Sequence, residues 1–362
     1  MSYVFFTGFP GFLGTALLPR VLARLPDAVA VCLVQPSWAA LARERVAQLQ
    51  ADDPAAAGRI ELVEGDITVP GLGLLDPGTL RRDVVEIFHL AAVYDLSVPR
   101  DVAMRVNVEG TRHVLDFAAD CPRLRRFQYV STCYVSGRHP GAFAEEELEK
   151  GQTFNNFYEE TKYLAEVLVR GRMAAGLPAT IYRPAVVVGD SVTGETQKYD
   201  GPYFVLQWLL RQPRVAVMPV VGRTTAYEFN MVPRDFVIAA IAYLSGRPES
   251  LGRTYHLADP HPLTVDALLG EMARATHRAL VRVPLPLGVA KWSIDRLPGV
   301  YQLLRIPSSA VDYFVHPTHY DTRRASADLA TSGISCPPVP RYLPALVGFM
   351  RRHANVSAAA MV

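Results

Sequence analysis

Lysine is scarce in this chain of 362 residues, which has 37 lysines and arginines together but only four lysines: Lys150, Lys162, Lys198 and Lys291. The 35 acidic residues leave a formal net charge of +2, and charges of both signs are spread along the chain. Proteins that bind nucleic acids usually carry a clustered basic face. The sequence therefore gives no support for a nucleic-acid partner.

Cysteine is also rare, and Cys32, Cys121, Cys133 and Cys336 show neither metal-ligand spacing nor close pairing. Reduced thiols in the cytoplasm are the expected state of such residues. No apolar run approaches the ~18 residues of a membrane-spanning helix, and no signal-peptide pattern precedes the first strand-like run. We therefore expect a cytoplasmic globular protein without a transmembrane segment or a metal site.

Short apolar runs alternate with amphipathic stretches over the first half of the chain. Strands buried on both faces and separated by helices are typical of a parallel sheet. We therefore predict an α/β fold with a doubly wound parallel sheet of the Rossmann type. The predicted strands are "YVFF" (3–6), "AVAVCLV" (28–34), "RIELVEGDI" (59–67), "VVEIFHLAA" (84–92), "RFQYVST" (126–132) and "ATIYRPAVVVG" (179–189).

The alternation ends after Gly189, where a polar loop is followed by a helix, a strand and a chain that reads as helical and Pro-rich from Leu263 onward. We predict that residues 1–188 form a dinucleotide-binding domain, to which residues 228–258 return. Residues 189–362 are then mainly a smaller substrate-binding lobe. Such a lobe is expected to cover the strand ends, where doubly wound sheets bind their ligands.

The stretch "TGFPGFLG" places Gly8, Gly11 and Gly14 between the first strand and the first helix. Glycines there let the backbone approach a pyrophosphate, and the helix N-terminus supplies free N–H groups. The spacing differs from the commonest dinucleotide motif, and no lysine follows as in a P-loop. Three glycines also occur in turns for reasons of geometry alone, but the position after the first strand favours dinucleotide binding.

The second strand ends in "LVQPS", so no acidic side chain follows that could bind a ribose 2′-hydroxyl. Arg43 and Arg45 lie slightly further on and could meet a 2′-phosphate, which favours NADP(H) over NAD(H). A solvated basic helix face explains the two arginines equally well. Asp66, at the end of the third strand, is a candidate for binding the adenine amine or for forming a turn.

The sequence "YEETK" places Tyr158 four residues before Lys162, on one face of a helix. A nearby ammonium lowers the pKa of a tyrosine, which would suit Tyr158 to proton transfer. The lysine could also bind the nicotinamide ribose. Just before this helix, "YVSTCYVSG" ends a strand with Ser131 and Thr132, whose hydroxyls could orient a carbonyl. A surface helix and a capped strand end are the structural alternatives.

These motifs together resemble the extended short-chain dehydrogenase/reductase superfamily. Within it, the chain is most similar to fatty acyl-CoA reductases and to the thioester-reductase domains of carboxylic acid reductases, over residues 2 to about 260. The motifs that carry the resemblance are "TGFPGFLG", "GDIT", "FHLAA", "NVEGT", "VSTCYVSG", "NNFYEETKYLAE" and "YRPAVVVGD".

The resemblance implies a role for each matching residue. Tyr158 would be the general acid, Lys162 its partner, and Thr132 the carbonyl-orienting hydroxyl, while Asn107 would order a helix and a water near the lysine. Gln35 stands where an arginine for the 2′-phosphate is frequent in the subfamily. The implied cofactor-binding residues are Gly8, Gly11, Phe12, Leu13, Gly14, Arg43, Asp66, Ile67, Ala91 and Lys162.

The expected activity is NADP(H)-dependent reduction of an acyl thioester, bound to coenzyme A or a carrier protein, to the aldehyde and, with a second hydride, to the alcohol. The thioester is expected to arrive from a separate partner. Apolar stretches such as "VPLPLGVAKW" and "LPGVYQLLRIP" suit a long acyl chain or an ordinary core. An NAD-dependent sugar-nucleotide epimerase or dehydratase, a hydroxysteroid-type dehydrogenase and a non-catalytic cofactor sensor are the alternatives.

Overall fold

The computed structural model describes residues 2–94, 98–297 and 307–356. A large parallel sheet with helices on both faces carries a second, smaller layer of short strands and helices. The strands of the described residues are β1 Ser2–Thr7, β2 Ala28–Val34, β3 Ile60–Glu64, β4 Val84–His89, β5 Arg126–Val130, β6 Gly141–Phe143, β7 Ala179–Pro184, β8 Val186–Val188, β9 Val215–Val221, β10 Glu228–Phe229, β11 Met231–Pro233, β12 Thr254–Leu257, β13 Leu263–Thr264, β14 Ala279–Leu285 and β15 Thr318–Tyr320.

The helices surround the large sheet and form much of the smaller layer. A π-helical segment, Met104–Glu109, joins the fourth helix to the fifth without a break in the chain direction. The α-helices of the described residues are α1 Phe12–Arg24, α2 Ala39–Asp52, α3 Pro77–Asp83, α4 Arg100–Ala103, α5 Gly110–Ala119, α6 Phe157–Ala174, α7 Pro202–Arg211, α8 Arg234–Ser245, α9 Val265–Thr276, α10 Leu287–Arg296, α11 Ser308–Val311, α12 Arg323–Leu329 and α13 Val339–Arg352.

The large sheet has seven parallel strands in the order β12-β7-β5-β4-β1-β2-β3. The chain begins at β1 inside the sheet, and β2 and β3 follow on one side of it. The later strands β4, β5, β7 and β12 then follow in that order on the other side. Every residue of β2 and β7 is buried, as expected for strands covered on both faces. The prediction of a doubly wound α/β fold is confirmed.

The smaller layer has a core of its own, formed by α7, α9, α13 and β9. Parallel pairs join β8 to β11 and β9 to β14, while β15 pairs with β6, which lies between β5 and α6 along the chain. The chain crosses back to the large sheet, because α8 packs on α1 and β12 pairs with β7. The boundaries at residue 188 and at residues 228–258 stay predictions of domain organisation.

Two elements differ from the sequence-based expectation. The segment 179–189 is two strands, because the Pro184 nitrogen has no hydrogen for a ladder and the chain leaves the sheet there. The region after Leu263 is not simply helical, since β14 pairs with β9 along seven residues. Four of the seven residues of β14 are exposed and the other three are only partly buried, so its apolar side chains do not form a buried run.

The two apolar stretches of the smaller layer have different outcomes. "VPLPLGVAKW" lies at the end of β14 and the beginning of α10, where Ala290 and Ile294 are buried but Val289 and Trp292 are exposed. Residues 298–306 of "LPGVYQLLRIP" lie outside the described residues. Within the part of the chain that the structure describes, every helix is too short or too polar to cross a bilayer.

Candidate active site

A cleft with a volume of about 630 Å³ lies at the carboxyl ends of the central strands. The turn after β1 and the ends of β2, β4 and β5 form one half of it, and the segment around residues 196–204 and α11 form the other. This is the position at which the strand order reverses, where doubly wound sheets bind nucleotides. The cleft therefore joins the predicted cofactor half to the predicted substrate half.

The glycine turn closes so tightly that side chains have no room in it. Gly8 has φ +90°, and a Cβ there would lie 2.8 Å from the Ala91 nitrogen. A Cβ on Gly11 or Gly14 would lie 2.8 Å or 2.5 Å from the Gly8 carbonyl oxygen. Helix α1 begins at once, with Gly11 as an N-cap that has no side chain to accept a hydrogen bond.

The first N–H groups of a helix have no intrahelical acceptor. In α1 these groups belong to Phe12, Leu13 and Gly14, all of which line the cleft. The cradle therefore fits a pyrophosphate, because it combines bare backbone with free donors and the favourable helix dipole. Ala91 lines the same region, and its N–H donates to the Thr7 hydroxyl at 3.3 Å.

The ends of β2 and β3 meet through Gln35, whose Nε2 donates to the Asp66 carboxylate at 3.0 Å. The same carboxylate accepts from the Thr68 N–H at 2.8 Å. Both Gln35 and Asp66 line the cleft, as does Ile67. Arg43 is exposed on α2 and lies outside the cleft lining, so the structure does not bring this predicted residue together with the others.

Tyr158 lies in the first turn of α6, which begins after Asn156, whose side chain accepts from the Glu159 N–H at 3.0 Å. Tyr158 lines the cleft and forms a side-chain hydrogen bond with Thr132. Burial raises the pKa of Tyr158 to about 12, and the hydrogen bond with Thr132 opposes that rise. The phenol therefore stays protonated at neutral pH.

Thr132 follows the end of β5 and also lines the cleft. Its Oγ1 accepts from the Tyr134 N–H at 3.3 Å and lies 3.5 Å from the Pro184 carbonyl. These contacts fix the side chain beside Tyr158. Thr132 and Tyr158 therefore lie side by side in the lining of the cleft.

Lys162 lies one turn after Tyr158 and is 3% exposed. Its Nζ donates to the Val130 carbonyl at 2.8 Å and to the Tyr129 hydroxyl at 3.1 Å. Burial lowers the pKa of Lys162 to about 7, and the charge of Glu166 opposes that fall. An ammonium has three donors, so a third N–H is left for the cleft, which the lysine lines.

Asn107 lies in the π-helical segment and is buried. Its Oδ1 accepts from the Val93 N–H at 2.8 Å, and its Nδ2 donates to the Val93 carbonyl and the Thr161 hydroxyl, each at 3.0 Å. The amide thus ties the segment after β4 to the residue before Lys162. Asn107 lies behind the cleft wall and does not line the cleft.

The substrate half contains residues that sequence reasoning did not single out. Its aromatic side chains are Tyr134, Phe204, Phe229, Tyr313 and Phe314. Little in the sequence marks these five residues as members of a site, because aromatic residues scattered through a chain are more often core residues. The structure shows that they share one wall only because distant segments fold together.

A second cation also lies in the substrate half. Lys198 Nζ stands 4.7 Å from the centroid of the Tyr94 ring and pairs with the Asp200 carboxylate at 3.1 Å. Among the described residues that line the cleft, Lys162 and Lys198 are the cationic ones. The scarcity of lysine in the sequence was the signal that could have found Lys198.

The buried histidines belong to the protein interior. His89 bonds the hydroxyls of Thr7 at 2.7 Å and Thr111 at 2.9 Å, and burial lowers its pKa to about 3. His256 bonds the Arg183 guanidinium at 3.0 Å. In the described residues, His, Cys, Asp and Glu side chains form no group of three or more that could hold a metal ion.

Comparison with known proteins places this geometry in context. Residues 6–241 match a family described as male sterility protein. The chain is 31% identical over 277 residues to a linear gramicidin synthase of Brevibacillus parabrevis, covering 73% of the chain and 5% of that protein. It is 29% identical over 294 residues to the isonitrile lipopeptide synthase of Mycobacterium tuberculosis, covering 71% and 11%. The chain thus spans only a small part of these relatives.

Solved structures agree in fold. The terminal R domain from the myxalamid PKS-NRPS biosynthetic pathway superposes with a TM-score of 0.82 and 29% identity, covering 98% of this chain and 91% of that one. The reductase domain of a nonribosomal peptide synthetase from Mycobacterium tuberculosis gives a TM-score of 0.72 and 24% identity, covering 98% and 92%. The latter likeness is one of fold alone.

Proposed function

The chain belongs to the male sterility protein family, as an NAD(P)-dependent extended short-chain dehydrogenase/reductase of the thioester-reductase type, and we propose that it reduces an acyl thioester with NADPH. The acyl group is bound to coenzyme A or to a carrier protein. One similar structure is a thiolation-reductase di-domain of an archaeal nonribosomal peptide synthetase, which supports a carrier-bound substrate.

One observation carries the proposal: Thr132, Tyr158 and Lys162 line the same cleft as the glycine turn. Thr132 and Tyr158 share a hydrogen bond, and Lys162 lies one helical turn further on. A hydroxyl, a phenol and a lysine amino group therefore line one cleft together with the glycine turn. That arrangement suits reduction of a carbonyl better than hydrolysis, for which an activated nucleophile would be needed.

The cofactor would be held by groups of known position. Gly8, Gly11 and Gly14, with the N–H groups of Phe12 and Leu13, would hold the pyrophosphate. Asp66 and Ile67 would contact the adenine, Ala91 lines the same cleft, and Lys162 would bind the nicotinamide ribose. When bound, NADPH supplies the hydride.

The side chains of this chain then act on the substrate carbonyl. The Thr132 hydroxyl donates to the carbonyl oxygen and orients it, and Tyr158 donates its phenolic proton as negative charge develops on that oxygen. A pKa of about 12 keeps the phenol protonated and ready to act as the acid. With a thioester, hydride and proton addition give a thiohemiacetal. Its C–S bond then breaks, the proton of its hydroxyl passes to the leaving thiolate, and aldehyde and thiol are released.

Preference for NADPH is supported by the end of β2. Gln35 occupies the position at which an acidic side chain would bind a free 2′-hydroxyl, and it donates to Asp66. Arg43, exposed on the following helix, supplies the charge for a 2′-phosphate from outside the cleft lining. The same cleft takes the aldehyde for a second reduction to the alcohol.

The decisive experiment follows NADPH oxidation and thiol release together, with acyl thioesters of coenzyme A and of pantetheine and with the matching aldehydes. We expect one NADPH oxidised for each thiol released, rising to two where the aldehyde is reduced further to the alcohol. Both signals should be lost in Tyr158→Phe and kept in Tyr163→Phe on the same helix. Thiol release that does not need Tyr158 would contradict the proposed mechanism. Reduction of aldehydes with every thioester left intact would contradict the substrate class.

A further inference from the structure

A buried carboxylate lies one helical turn beyond Lys162, on the side away from Tyr158. Glu166 is fully buried, and both of its oxygens are engaged. Oε1 accepts from Arg183 Nη2 at 2.6 Å and from Arg170 Nε at 3.0 Å. Oε2 accepts from the Ser131 hydroxyl at 2.7 Å and from Arg183 Nε at 3.0 Å. The proposed reaction itself uses none of these side chains.

The residues that Glu166 contacts are adjacent in the chain to residues that line the active-site cleft. Ser131 directly precedes Thr132, and Arg183 directly precedes Pro184, whose carbonyl lies 3.5 Å from the Thr132 hydroxyl. The carbonyl of Arg183 also accepts from the Cys133 thiol at 3.0 Å. The carboxylate therefore ties the ends of β5 and β7 together at the point where both strands reach the cleft.

Glu166 also supplies the negative charge that acts on Lys162. Burial by itself would raise the pKa of Glu166, but Arg183 and Arg170 hold that pKa at about 2, so the group is ionised. Its charge opposes the loss of the proton from Lys162, whose pKa burial lowers. The other groups around the lysine, Tyr129, Tyr158 and His89, are neutral at pH 7.

The surroundings of Glu166 contain further titratable groups. Arg170 and Arg183 pair with it, and His256 and Glu145 lie beyond Arg183. Burial lowers the pKa of His256 to about 3, so it carries no charge at neutral pH. Burial raises the pKa of Glu145 to about 7, and this residue contacts the backbone of α12 rather than Lys162.

We propose that Glu166 is a positioning residue of the reductase, which holds Thr132 in place through Ser131 and increases the fraction of Lys162 that is in its ammonium form. This inference rests on the proposed function, since it assigns a task to a residue that touches neither substrate nor cofactor. Its two parts, a mechanical one through Ser131 and an electrostatic one through Lys162, can be measured separately.

The electrostatic part is tested by titration of Lys162 in the protein without substrate or cofactor. NMR of isotopically labelled lysine side chains suits a chain with four lysines. In the native protein we expect Lys162 to titrate near its pKa of about 7. In Glu166→Gln the midpoint should fall by about one pH unit, as expected on loss of a nearby opposite charge.

Two further variants keep this test decisive. Glu160→Gln makes the same substitution on the same helix at a partly exposed ion pair with Arg100, and it should leave the titration of Lys162 unchanged. Since Glu166→Gln leaves Arg183 buried and unpaired, the double variant Glu166→Gln/Arg183→Gln removes both charges. The Lys162 titration is measured in whichever of the two Glu166 variants folds, the single or the double one. If its midpoint is unchanged there, the electrostatic part is wrong.

The mechanical part is tested with Ser131→Ala, which removes one hydrogen bond and keeps the ion pair. We expect kcat to fall about tenfold, with little change in the KM for NADPH and no change in the titration of Lys162. A native kcat in Ser131→Ala overturns this part. Because the titration needs no substrate, the electrostatic part can hold or fail independently of the proposed thioester reduction.

Discussion

Lys162 donates a 2.8 Å hydrogen bond to the main-chain carbonyl of Val130, the last residue of β5. Helix α6 is thereby fastened to the strand end that carries Thr132, so the tyrosine, the lysine and the threonine are held as one unit. The ammonium is not directed at Tyr158, and burial, rather than a neighbouring charge, dominates the pKa of that phenol. In the folded protein the hydrogen bond with Thr132, rather than the lysine, opposes the rise in the tyrosine pKa.

Removal of the phenolic hydroxyl should abolish most of the activity. In Tyr158→Phe we expect kcat to fall by about 10²–10⁴-fold, the usual contribution of a positioned general acid. The affinity for NADPH should change little, because the ring is kept. Steady-state kinetics and NADPH titration check this, and Tyr163→Phe is the matched control, since Tyr163 packs against Phe154 on the outer side of the same helix.

The hydroxyl of Thr132 should matter more than its methyl group. Thr132→Val keeps the shape but loses the hydrogen bond to Tyr158, so kcat/KM should fall about ten- to hundredfold, as for the loss of one bond in a transition state. Thr132→Ser should retain most of the activity. Equal losses in the two variants would show that packing, rather than hydrogen bonding, is the role of this residue.

Lys162 should make the stability of the protein depend on pH. Its pKa is about 7 when folded and 10.5 in its ordinary state, so between these values the unfolded chain binds a proton that the folded protein does not. This group's contribution to the free energy of unfolding therefore rises with pH across that window.

The Lys162→Met variant lacks that contribution. The free energy of unfolding of the variant minus that of the native protein should fall by a few kcal/mol between pH 7 and pH 10, since each pKa unit corresponds to about 1.4 kcal/mol. Urea unfolding of both proteins over this range measures the difference. A difference that does not vary with pH would mean that Lys162 stays charged in the fold.

Selectivity for NADPH should depend on Arg43. In Arg43→Ala we expect the Kd for NADPH to rise about tenfold, on loss of a charge-assisted contact with the 2′-phosphate, while the Kd for NADH stays the same. Arg20→Ala, an exposed arginine on α1, is the control. A parallel loss of affinity for both dinucleotides would assign Arg43 to the stability of α2 instead.

The glycine turn should not tolerate a methyl group at Gly8. Gly8→Ala combines a positive φ with a Cβ 2.8 Å from the Ala91 nitrogen, so dinucleotide binding should be lost. Gly58→Ala is the matched control, because Gly58 also has a positive φ but no atom within 4 Å of the new Cβ. Retention of NADPH binding in Gly8→Ala, measured by thermal shift, would exclude the turn as the pyrophosphate site.

The part of the fold that could be predicted is the part in which apolar residues recur at regular spacing. The alternation of buried strands and amphipathic helices predicts the parallel sheet, and the spacing of Tyr158 and Lys162 predicts that they share a helix face. The partners of these side chains were not predictable, because Lys162 contacts residues more than thirty positions away. The same holds for β14, which is defined only by its pairing with β9.

The candidate site also contains residues that could be predicted from the sequence and residues that could not. Residues of the glycine turn, the strand end and α6 were identified because each lies within a short motif. Glu166 lies within the motif "NNFYEETKYLAE", but its role could not be predicted, because nothing in the local sequence shows that Arg183 packs against it. Arg43 was selected on sequence position, and it lies outside the cleft lining because α2 directs it to solvent.

The outermost strand β12 comes from far along the chain. It can pair with β7 only after residues 189–253 have been synthesised, so a ribosome must deliver residue 257 before this edge is closed. Until then the nascent sheet presents β7 as an open template for pairing with other chains. A chain that ends between residues 188 and 257, or that is fused to another protein there, would leave the β7 edge exposed. We expect such a protein to aggregate.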